Sequence, residues 1–357
     1  MIDGWLKRKE VCICAGAGGV GKTTTAAAIA LGMAARGGNV AVLTIDPARR
    51  LADALGLAEL GNEERRVPAD VPGELWAMTL DAKRTFDELI EWHAPDDATR
   101  DAVLGNRIYQ ELSNAVAGSQ EYMAMEKLHE LHLEGRYDLL VLDTPPTRNA
   151  LDFLDAPKKL AAFIDSRSLQ FFTAPGLLGL KVLGRGTSVA FSVMKRATGI
   201  DLLQDLSEFF RTFGGMTGGF RERAERVNAL LRDSRSAFVL VSSPRRDAID
   251  EAAFFHHRLR EADLPFAGVV ANRVRPGVPG GDVAGEIEGL MDEALARKVL
   301  RTVDEERALA ERDRRNLSEL RRRLGRRPLI EVPQLDQDVH DLEGLRRMAE
   351  HLFAARA

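Results

Sequence analysis

The sequence predicts an α/β fold in which a doubly wound, mostly parallel sheet carries helices on both faces and an inserted helical subdomain. A short apolar run, Val11–Ala15, enters a glycine-rich loop that leads into an alanine-rich helix at 24–35. Further β-rich runs alternate with helical patterns, which is typical of parallel strands joined by crossover helices. Residues 161–219 interrupt this alternation with a stretch rich in Phe, Leu, Met and Gly, which indicates a helical insertion.

Each predicted element follows from its own pattern. Apolar runs bounded by turn residues predict strands at 11–15, 40–45, 75–80, 137–142, 237–242, 267–271 and 329–332. The run at 137–142 is apolar from Leu139 onward, as expected of a strand buried on both faces. Apolar periodicity predicts helices at 24–35, 85–93 and 121–134, and a charged, solvated helix at 305–327. We therefore predict a core in two parts, 1–160 and 236–357, with the helical insertion at 161–235.

Composition excludes several classes of protein. With 50 Lys and Arg against 54 Asp and Glu, the net charge is −4, so no global basic field favours nucleic acid, and we expect no nucleic-acid partner. The first ten residues are charged and lack an apolar signal core, and no run approaches the ~20 apolar residues of a membrane span. Cys12 and Cys14 share one face of a predicted strand, which indicates buried thiols. We expect a cytoplasmic protein, with peripheral contact at the inner face of the membrane left open.

A phosphate-binding loop lies between the first strand and the first long helix. The segment from Gly16 to Thr23, GAGGVGKT, fits the pattern G-x-x-x-x-G-K-[ST] in the strand-to-helix context that this pattern requires. Glycines let backbone N–H groups surround phosphate oxygens, Lys22 neutralises charge on the β- and γ-phosphates, and the Thr23 hydroxyl suits Mg²⁺. A glycine turn before an ordinary helix would explain the glycines but not Lys-Thr directly after them. We predict an ATP and Mg²⁺ site at Gly18, Gly19, Val20, Gly21, Lys22, Thr23 and Thr24.

Two aspartates follow predicted strands at the edge where a doubly wound sheet binds its ligand. Asp143 ends the 137–142 strand, where a carboxylate serves the magnesium site together with Thr23. Asp46 ends the strand after the loop helix, where a carboxylate can position or deprotonate the attacking water. A lone aspartate is more often a helix cap or a turn residue, but the phosphate-binding loop favours the functional interpretation. We assign Asp46 and Lys22 as catalytic and Thr23 and Asp143 to the metal.

These motifs resemble those of a known family. Gly18 to Thr24, Asp46-Pro47-Ala48 with Leu51-Ala52-Asp53, and Asp143-Thr144-Pro145-Pro146-Thr147 are similar to the P-loop, switch I and switch II of the ArsA-type P-loop ATPases. That family includes arsenite-pump ATPases and the targeting ATPase for tail-anchored membrane proteins. The resemblance runs from about residue 10 to the C-terminal helix. It implies a dimeric ATPase in which Asn272 binds the adenine base and the loop that starts at Pro333 walls it.

Two departures from the family pattern concern catalysis. The family's P-loop usually has a lysine one residue after its first glycine that reaches the nucleotide of the opposite subunit, and this chain has Ala17 there. A cation supplied in trans is worth roughly 10³ to 10⁵ in rate, so its absence matters. Turnover is slow, or Arg49 or Arg148 substitutes, or a paralogous partner in a heterodimer supplies the lysine. The two arginines stand where the family commonly has histidine and glycine, and solvent-facing arginines would explain them equally well.

Other departures concern the client. The chain has no C-x-x-C pair for the dimer-bridging zinc of the tail-anchor branch, and residues 161–235 contain no cysteine to bind arsenite. The apolar insertion could line a groove for a hydrophobic helix, or it could be a packed lid or dimer face. At the C-terminus, Leu342–Phe353 could be a membrane-targeting helix or a helix packed on the sheet.

Three functions therefore remain open at the level of sequence. The chain is an ATP-hydrolysing dimeric switch that handles a hydrophobic client or regulates a membrane partner, a peripheral ATPase of an anion transporter, or a nucleotide-binding scaffold with low turnover in a heterodimer. Asp46 favours the first two, because a scaffold needs no carboxylate to position water, and Ala17 favours the third. The sequence does not distinguish a homodimer from a heterodimer, and it does not identify the client.

Overall fold

The computed structural model describes residues 1–46, 48–107, 109–110, 119–145, 217–277, 285, 287 and 290–354. They belong to two compact units. The first unit comprises the described residues within 1–79, 130–150 and 231–357, and the second those within 80–129 and 151–230. Most of the predicted helical insertion at 161–235 lies outside the described residues, so the predicted domain division stays a prediction.

The described residues form the following strands and helices. The strands are β1 (Val11–Ala15), β2 (Asn39–Thr44), β3 (Arg65–Arg66), β4 (Glu74–Thr79), β5 (Leu139–Asp143), β6 (Ser236–Ser242), β7 (Phe266–Val274) and β8 (Leu329–Pro333). The helices are α1 (Ile2–Leu6), α2 (Lys22–Ala34), α3 (Arg50–Ala54), α4 (Ala82–His93), α5 (Asp97–Leu104), α6 (Ser119–Glu134), α7 (Thr217–Arg232), α8 (Arg246–Glu261), α9 (Glu293–Leu324) and α10 (Leu342–Phe353).

The first unit contains one eight-stranded sheet in the order β3-β4-β2-β5-β1-β6-β7-β8. Every neighbouring pair is parallel except β3 and β4. The central strands β1, β5 and β6 are buried along their whole length, as their continuous apolar sequences predict. The order reverses around β1, so the loop after β1 lies at the switch point where such sheets bind ligands. The prediction of a doubly wound α/β fold is confirmed.

Strand register brings the predicted site residues together. Asp143 in β5 is opposite Cys14 in β1 on one side and opposite Thr44 in β2 on the other. The carboxyl ends of these three strands therefore lie side by side at one edge of the sheet. Asp46, two residues beyond Thr44, follows at the same edge.

Helix α2 packs closely because it is rich in small residues. Ala26, Ala27, Ala28 and Ala30 are buried in the core cluster, and α10 packs against α2 through Leu345, Met348, Leu352 and Phe353. Gly32 permits this contact, because a Cβ atom there would lie 2.1 Å from the Phe353 ring. The guanidinium of Arg36 lies 4.0 Å from the centre of the same ring. Of the two interpretations of Leu342–Phe353, packing within the core is therefore the one observed.

The second unit has its own aromatic and polar contacts. Phe86 stacks on Tyr109, and Phe220 stacks on His93. The Tyr109 hydroxyl donates a hydrogen bond of 2.5 Å to the Asp87 carboxylate. Burial raises the pKa of Tyr109 well above its usual value, and the hydrogen bond to Asp87 adds to this effect. This hydroxyl therefore stays protonated and acts as a structural donor.

Two further predictions concern the cysteines and membrane-spanning helices. Cys12 and Cys14 are buried free thiols, and the pKa of Cys14 is raised well above its usual value by its hydrogen bond with Cys12 and by burial. Such thiols are weak nucleophiles. Among the helices of the described residues, none combines the length and apolar character needed to cross a membrane.

Candidate functional site

The loop between β1 and α2 has the backbone that its glycines predict. Gly16, Gly19 and Gly21 have φ values of +151°, +75° and +89°, a region that side chains other than glycine seldom adopt. At Gly16 a Cβ atom would lie 2.0 Å from the carbonyl oxygen of Val241, so this position needs glycine for space as well. Gly21 is the N-cap of α2, and no described side chain caps the helix. The first N–H groups of α2 thus remain available for an anion.

Lys22 lies in the first turn of α2, and its side chain is buried. Its Nζ donates a 2.8 Å hydrogen bond to the carbonyl oxygen of Ala17, so the side chain folds back over the loop. Burial lowers the pKa of Lys22, while the negative charges of Asp143, Glu251 and Asp46 act in the opposite direction. The ammonium thus lies in a poorly solvated place, where its attraction to a phosphate is stronger than in water.

Asp143 is the buried carboxylate at the centre of the site. Its Oδ2 accepts hydrogen bonds from the hydroxyls of Thr23, at 2.6 Å, and Thr44, at 2.9 Å. Its Oδ1 is buried and has no hydrogen-bond partner among the described atoms. Burial raises the pKa of Asp143 to about 6, against the opposing effect of the two hydroxyl donors and of Lys22. The Oδ1 atom can therefore accept a hydrogen bond from a metal-bound water or from another donor.

Asp46 is held by the chain at both carboxylate oxygens. The backbone N–H of Ala48 donates to its Oδ1 at 2.9 Å, and Arg50 Nη1 lies 3.3 Å from its Oδ2. The Asp46 N–H donates to the Thr44 hydroxyl at 3.2 Å, and that hydroxyl donates to Asp143. Thr44 therefore connects the backbone of Asp46 to the Asp143 carboxylate. Neither Thr44 nor Arg50 was predicted to be a site residue, although Arg50 follows Asp46 by only four residues.

The position of the missing lysine is enclosed by this chain itself. Ala17 is buried in a small apolar cluster with Val20, Val241 and Ala248. Arg49, one of the two predicted substitutes, is an exposed residue at the N-cap of α3, whereas its neighbour Arg50 makes the ion pair with Asp46. Arg148 lies outside the described residues. The role of these arginines in hydrolysis therefore stays a prediction.

A cavity of about 640 Å³ adjoins the loop in the first unit. Four predicted site residues line it: Gly19, Thr24, Asn272 and Pro333. The Asn272 side chain donates from Nδ2 to the carbonyl oxygen of Val20 at 3.0 Å, and its Oδ1 accepts from the N–H of Arg273 at 2.9 Å. Asn272 thus contacts the phosphate-binding loop directly, and its amide keeps one proton and one lone pair for a ligand. Its assignment to the adenine base stays a prediction.

Other residues that line this cavity were not predicted from the sequence to be site residues. They come from the ends of β6 and β7 and from the middle of α9, and they include Arg245, Arg273, Arg275, Arg312 and Asp313. Gln334 and Gln337, which also line the cavity, belong to the loop that starts at Pro333 and was expected to wall the base. Arg273 adopts a positive φ of 58° and places Nη1 3.4 Å from the Gly19 carbonyl oxygen. Apart from Arg273, which directly follows Asn272, these residues are distant in sequence from the predicted site residues, and single arginines in a charged chain carry no local signal.

The described residues fit a magnesium ion at Thr23 and Asp143. Both supply hard oxygen atoms, and the partnerless Oδ1 of Asp143 offers an acceptor that the chain leaves unused. Among the described residues there is no cluster of three or more His, Cys, Asp or Glu suited to a metal. A site with few protein ligands is what Mg²⁺ uses when phosphate oxygens and waters complete its shell.

Comparison with known proteins identifies a matching family model and several similar proteins. A family model described as anion-transporting ATPase matches residues 9–282. The chain is 28% identical to ATPase GET3 of Malassezia globosa over 234 residues, which cover 66% of this chain and 59% of that one. It is 27% identical to ATPase GET3 of Chaetomium globosum over 271 residues, 75% and 73% of the two chains. With ATPase GET3C of Arabidopsis thaliana the identity is 25% over 287 residues, 76% and 68% of the two chains.

Proposed function

Because the chain belongs to the anion-transporting ATPase family, we propose that it binds ATP with Mg²⁺ and hydrolyses it to ADP and phosphate. The observation that carries this proposal is that Lys22, Thr23 and Asp143 lie next to the phosphate-binding loop, in which Gly16, Gly19 and Gly21 have positive φ. The relatives named above are ATPases by name. Because the match covers only 59% of the Malassezia protein, ATP hydrolysis is a proposal for this chain.

Each residue has a role that its surroundings support. The N–H groups of the loop and of the first turn of α2 bind phosphate oxygens, and the buried Lys22 ammonium neutralises charge that develops on the transferred phosphoryl group. Asp46 positions the attacking water and accepts its proton. Thr44, which contacts both aspartates, keeps Asp46 and Asp143 in a fixed relation.

Thr23 and Asp143 would hold the magnesium ion, Thr23 through its hydroxyl and Asp143 through a bound water. A magnesium ion held by these residues would neutralise part of the charge on the phosphate oxygens. Thr23 donates its proton to Asp143 in the described structure, so the lone pairs of this hydroxyl point away from Asp143 and remain available to the ion. The Oδ1 atom of Asp143, which has no hydrogen-bond partner among the described atoms, would accept a hydrogen bond from that water.

Asp46→Asn tests the hydrolytic proposal. The variant keeps the size of the side chain and its bond to the Ala48 N–H, but it can no longer accept a proton. We expect a loss of roughly 10² to 10⁴ in single-turnover hydrolysis with little change in ATP affinity. Asp304→Asn, at an exposed carboxylate on α9 outside the switch motifs and the cavity, is the matched control and should hydrolyse ATP at the wild-type rate. Equal rates for Asp46→Asn and the wild type would refute the role of Asp46.

The missing lysine makes slow turnover the expected behaviour of the isolated chain. The absence of that lysine, with Ala17 at its position, supports the second candidate function, a nucleotide-binding scaffold whose paralogous partner supplies the lysine in a heterodimer. Single-turnover hydrolysis by Arg49→Ala, Arg50→Ala and Arg148→Ala variants distinguishes these cases. A drop in one variant identifies a substitute cation, whereas three unchanged rates leave slow turnover or a partner's lysine.

We further propose a dimer that handles a hydrophobic client or regulates a membrane partner from the cytoplasm, with a peripheral role at an anion transporter as the alternative. The family assignment supports the dimer. A pull-down from native lysate with the Asp46→Asn variant in ATP should retain partner subunit and client together. Recovery of this chain alone supports a homodimer without a stable client.

A further inference from the structure

Asp313 is a buried carboxylate in the wall of the nucleotide cavity. It lies on α9, its side chain is only 2% exposed, and it lines the same cavity as Gly19, Thr24 and Asn272. Burial of a carboxylate costs free energy unless the charge is paired and its oxygens accept good hydrogen bonds. The contacts of Asp313 should therefore be short if the chain alone compensates for that cost.

The observed contacts of Asp313 are long. Its Oδ2 lies 3.4 Å from the backbone nitrogen of Arg275 and 3.4 Å from Nη1 of the same residue, and its Oδ1 lies 3.4 Å from Nη2 of Arg312. Charge-assisted hydrogen bonds are usually about 2.7–2.9 Å long, as the 2.8 Å contact between Arg100 and Asp97 is in this protein. A carboxylate has about four acceptor positions. Two arginines thus lie near Asp313, yet none of these contacts is short, and the carboxylate retains capacity for a stronger donor.

The shape of the site indicates which part of a ligand meets Asp313. The phosphates of a nucleotide are bound at Lys22 and the N-terminus of α2, and the cavity extends from Gly19 and Thr24 to α9 and the loop after β8. Base and ribose therefore occupy this cavity. An ionised carboxylate only accepts hydrogen bonds, so it selects ligand groups that donate them. On a purine, the exocyclic amino group is such a donor.

We propose that Asp313 determines base specificity by accepting a hydrogen bond from the exocyclic amino group of a purine nucleotide. Arg275 and Arg312 hold the carboxylate in place. This inference rests on the proposed nucleotide binding and adds to it the feature of the base that is recognised. The amino group is at position 6 in adenine and at position 2 in guanine, and the experiment below distinguishes these sources.

Two pairs of nucleotides that differ in one amino group test the proposal. ATP is compared with purine riboside triphosphate, and GTP with ITP, by equilibrium binding to the full chain with Mg²⁺. We expect loss of the amino group to weaken wild-type binding about tenfold to a hundredfold in one pair, which identifies the base. In Asp313→Ala the ratio within that pair should fall close to one, and Asp313→Asn should give an intermediate ratio.

Glu306→Ala is the matched control. Glu306 also pairs with Arg275, at 3.6 Å, but it is 54% exposed and does not line the cavity. This variant should keep the wild-type ratio. The inference is overturned if the wild type binds both members of each pair equally, or if Asp313→Ala retains the wild-type ratio. If the wild type binds none of the four triphosphates, the proposed function itself fails. Ratios within one preparation do not depend on the folded fraction, and Asp313→Asn decides the matter if Asp313→Ala does not fold: a wild-type ratio in Asp313→Asn overturns the inference, and a reduced ratio supports it.

Discussion

At the scale of single residues, Asp143 has the most unusual environment in the described site. It is buried beside Lys22, two hydroxyls share one of its oxygens, and its pKa is raised to about 6 because burial disfavours the charged form. In the unfolded chain an aspartate has its ordinary pKa of about 3.9. The folded state therefore binds this proton more tightly, and stability is lost as the pH rises through the window between these two values.

This difference predicts the pH dependence of an Asp143→Asn variant. The amide does not titrate, so the variant lacks the stability loss that ionisation of Asp143 causes in the wild type. Relative to the wild type, its free energy of unfolding should rise between pH 4 and pH 7 by on the order of 3 kcal/mol. Urea unfolding without nucleotide at several pH values measures it. A constant difference between the two proteins across this range would contradict the account of Asp143.

At the scale of elements, the contact between α2 and α10 depends on Gly32. Glycine inside a helix is normally replaced by alanine with a gain of about 1 kcal/mol. Here the added methyl group would meet the Phe353 ring at 2.1 Å, and that ring is enclosed between α2 and the Arg36 guanidinium. We expect Gly32→Ala to destabilise the protein by about 1–3 kcal/mol, as overpacking does.

A double-mutant cycle checks the cause of that loss. Phe353→Leu removes the atoms that the methyl group meets, so Gly32→Ala should cost less in the Phe353→Leu background than in the wild type. The free energies of unfolding of the four proteins give the coupling. A Gly32→Ala variant that is more stable than the wild type would show that α10 moves away without cost and that this contact does not fix its position.

The sheet could be predicted from the sequence because its strands are buried. Seven of the eight strands of the described residues have apolar cores bounded by turn residues, and the predicted 11–15 run agrees with β1 at both ends. The two-residue edge strand β3, Arg65–Arg66, was missed because it is exposed and has no apolar pattern. Helix α9 begins at Glu293, twelve residues before the predicted 305, because its first turns are mostly exposed and carry little apolar periodicity.

Candidate site residues could be predicted from the sequence where they belong to a short motif or directly follow a strand. The loop from Gly16 to Thr23 is contiguous, and the register of β2 and β5 brings Thr44 and Asp143 together, which could be expected for ends of parallel strands. The base cavity is different, because α9 contributes Asp313 and the end of β7 contributes Arg275. Only the folded topology brings these distant segments together, and neither residue has a local pattern that distinguishes it.

At the scale of the whole molecule, the proposed switch predicts that nucleotide state changes the dimer. A triphosphate with Mg²⁺ contacts both switch regions, whereas ADP lacks the γ-phosphate that does so, and the ligand favours whichever state it binds more tightly. We expect small-angle scattering of the Asp46→Asn variant to show a more compact dimer with Mg²⁺ and ATP than with ADP. One shape in both states would count against this coupling.

The central claim is that Lys22 and the loop around it bind a magnesium nucleoside triphosphate. The most direct measurement is calorimetric titration of the purified chain with ATP in the presence of Mg²⁺, repeated for Lys22→Ala and for Lys7→Ala, an exposed lysine outside the site. We predict saturable binding of one ATP per chain in the wild type and in Lys7→Ala, and its loss in Lys22→Ala. Absence of binding in the wild type, or equal binding in Lys22→Ala, would contradict the account.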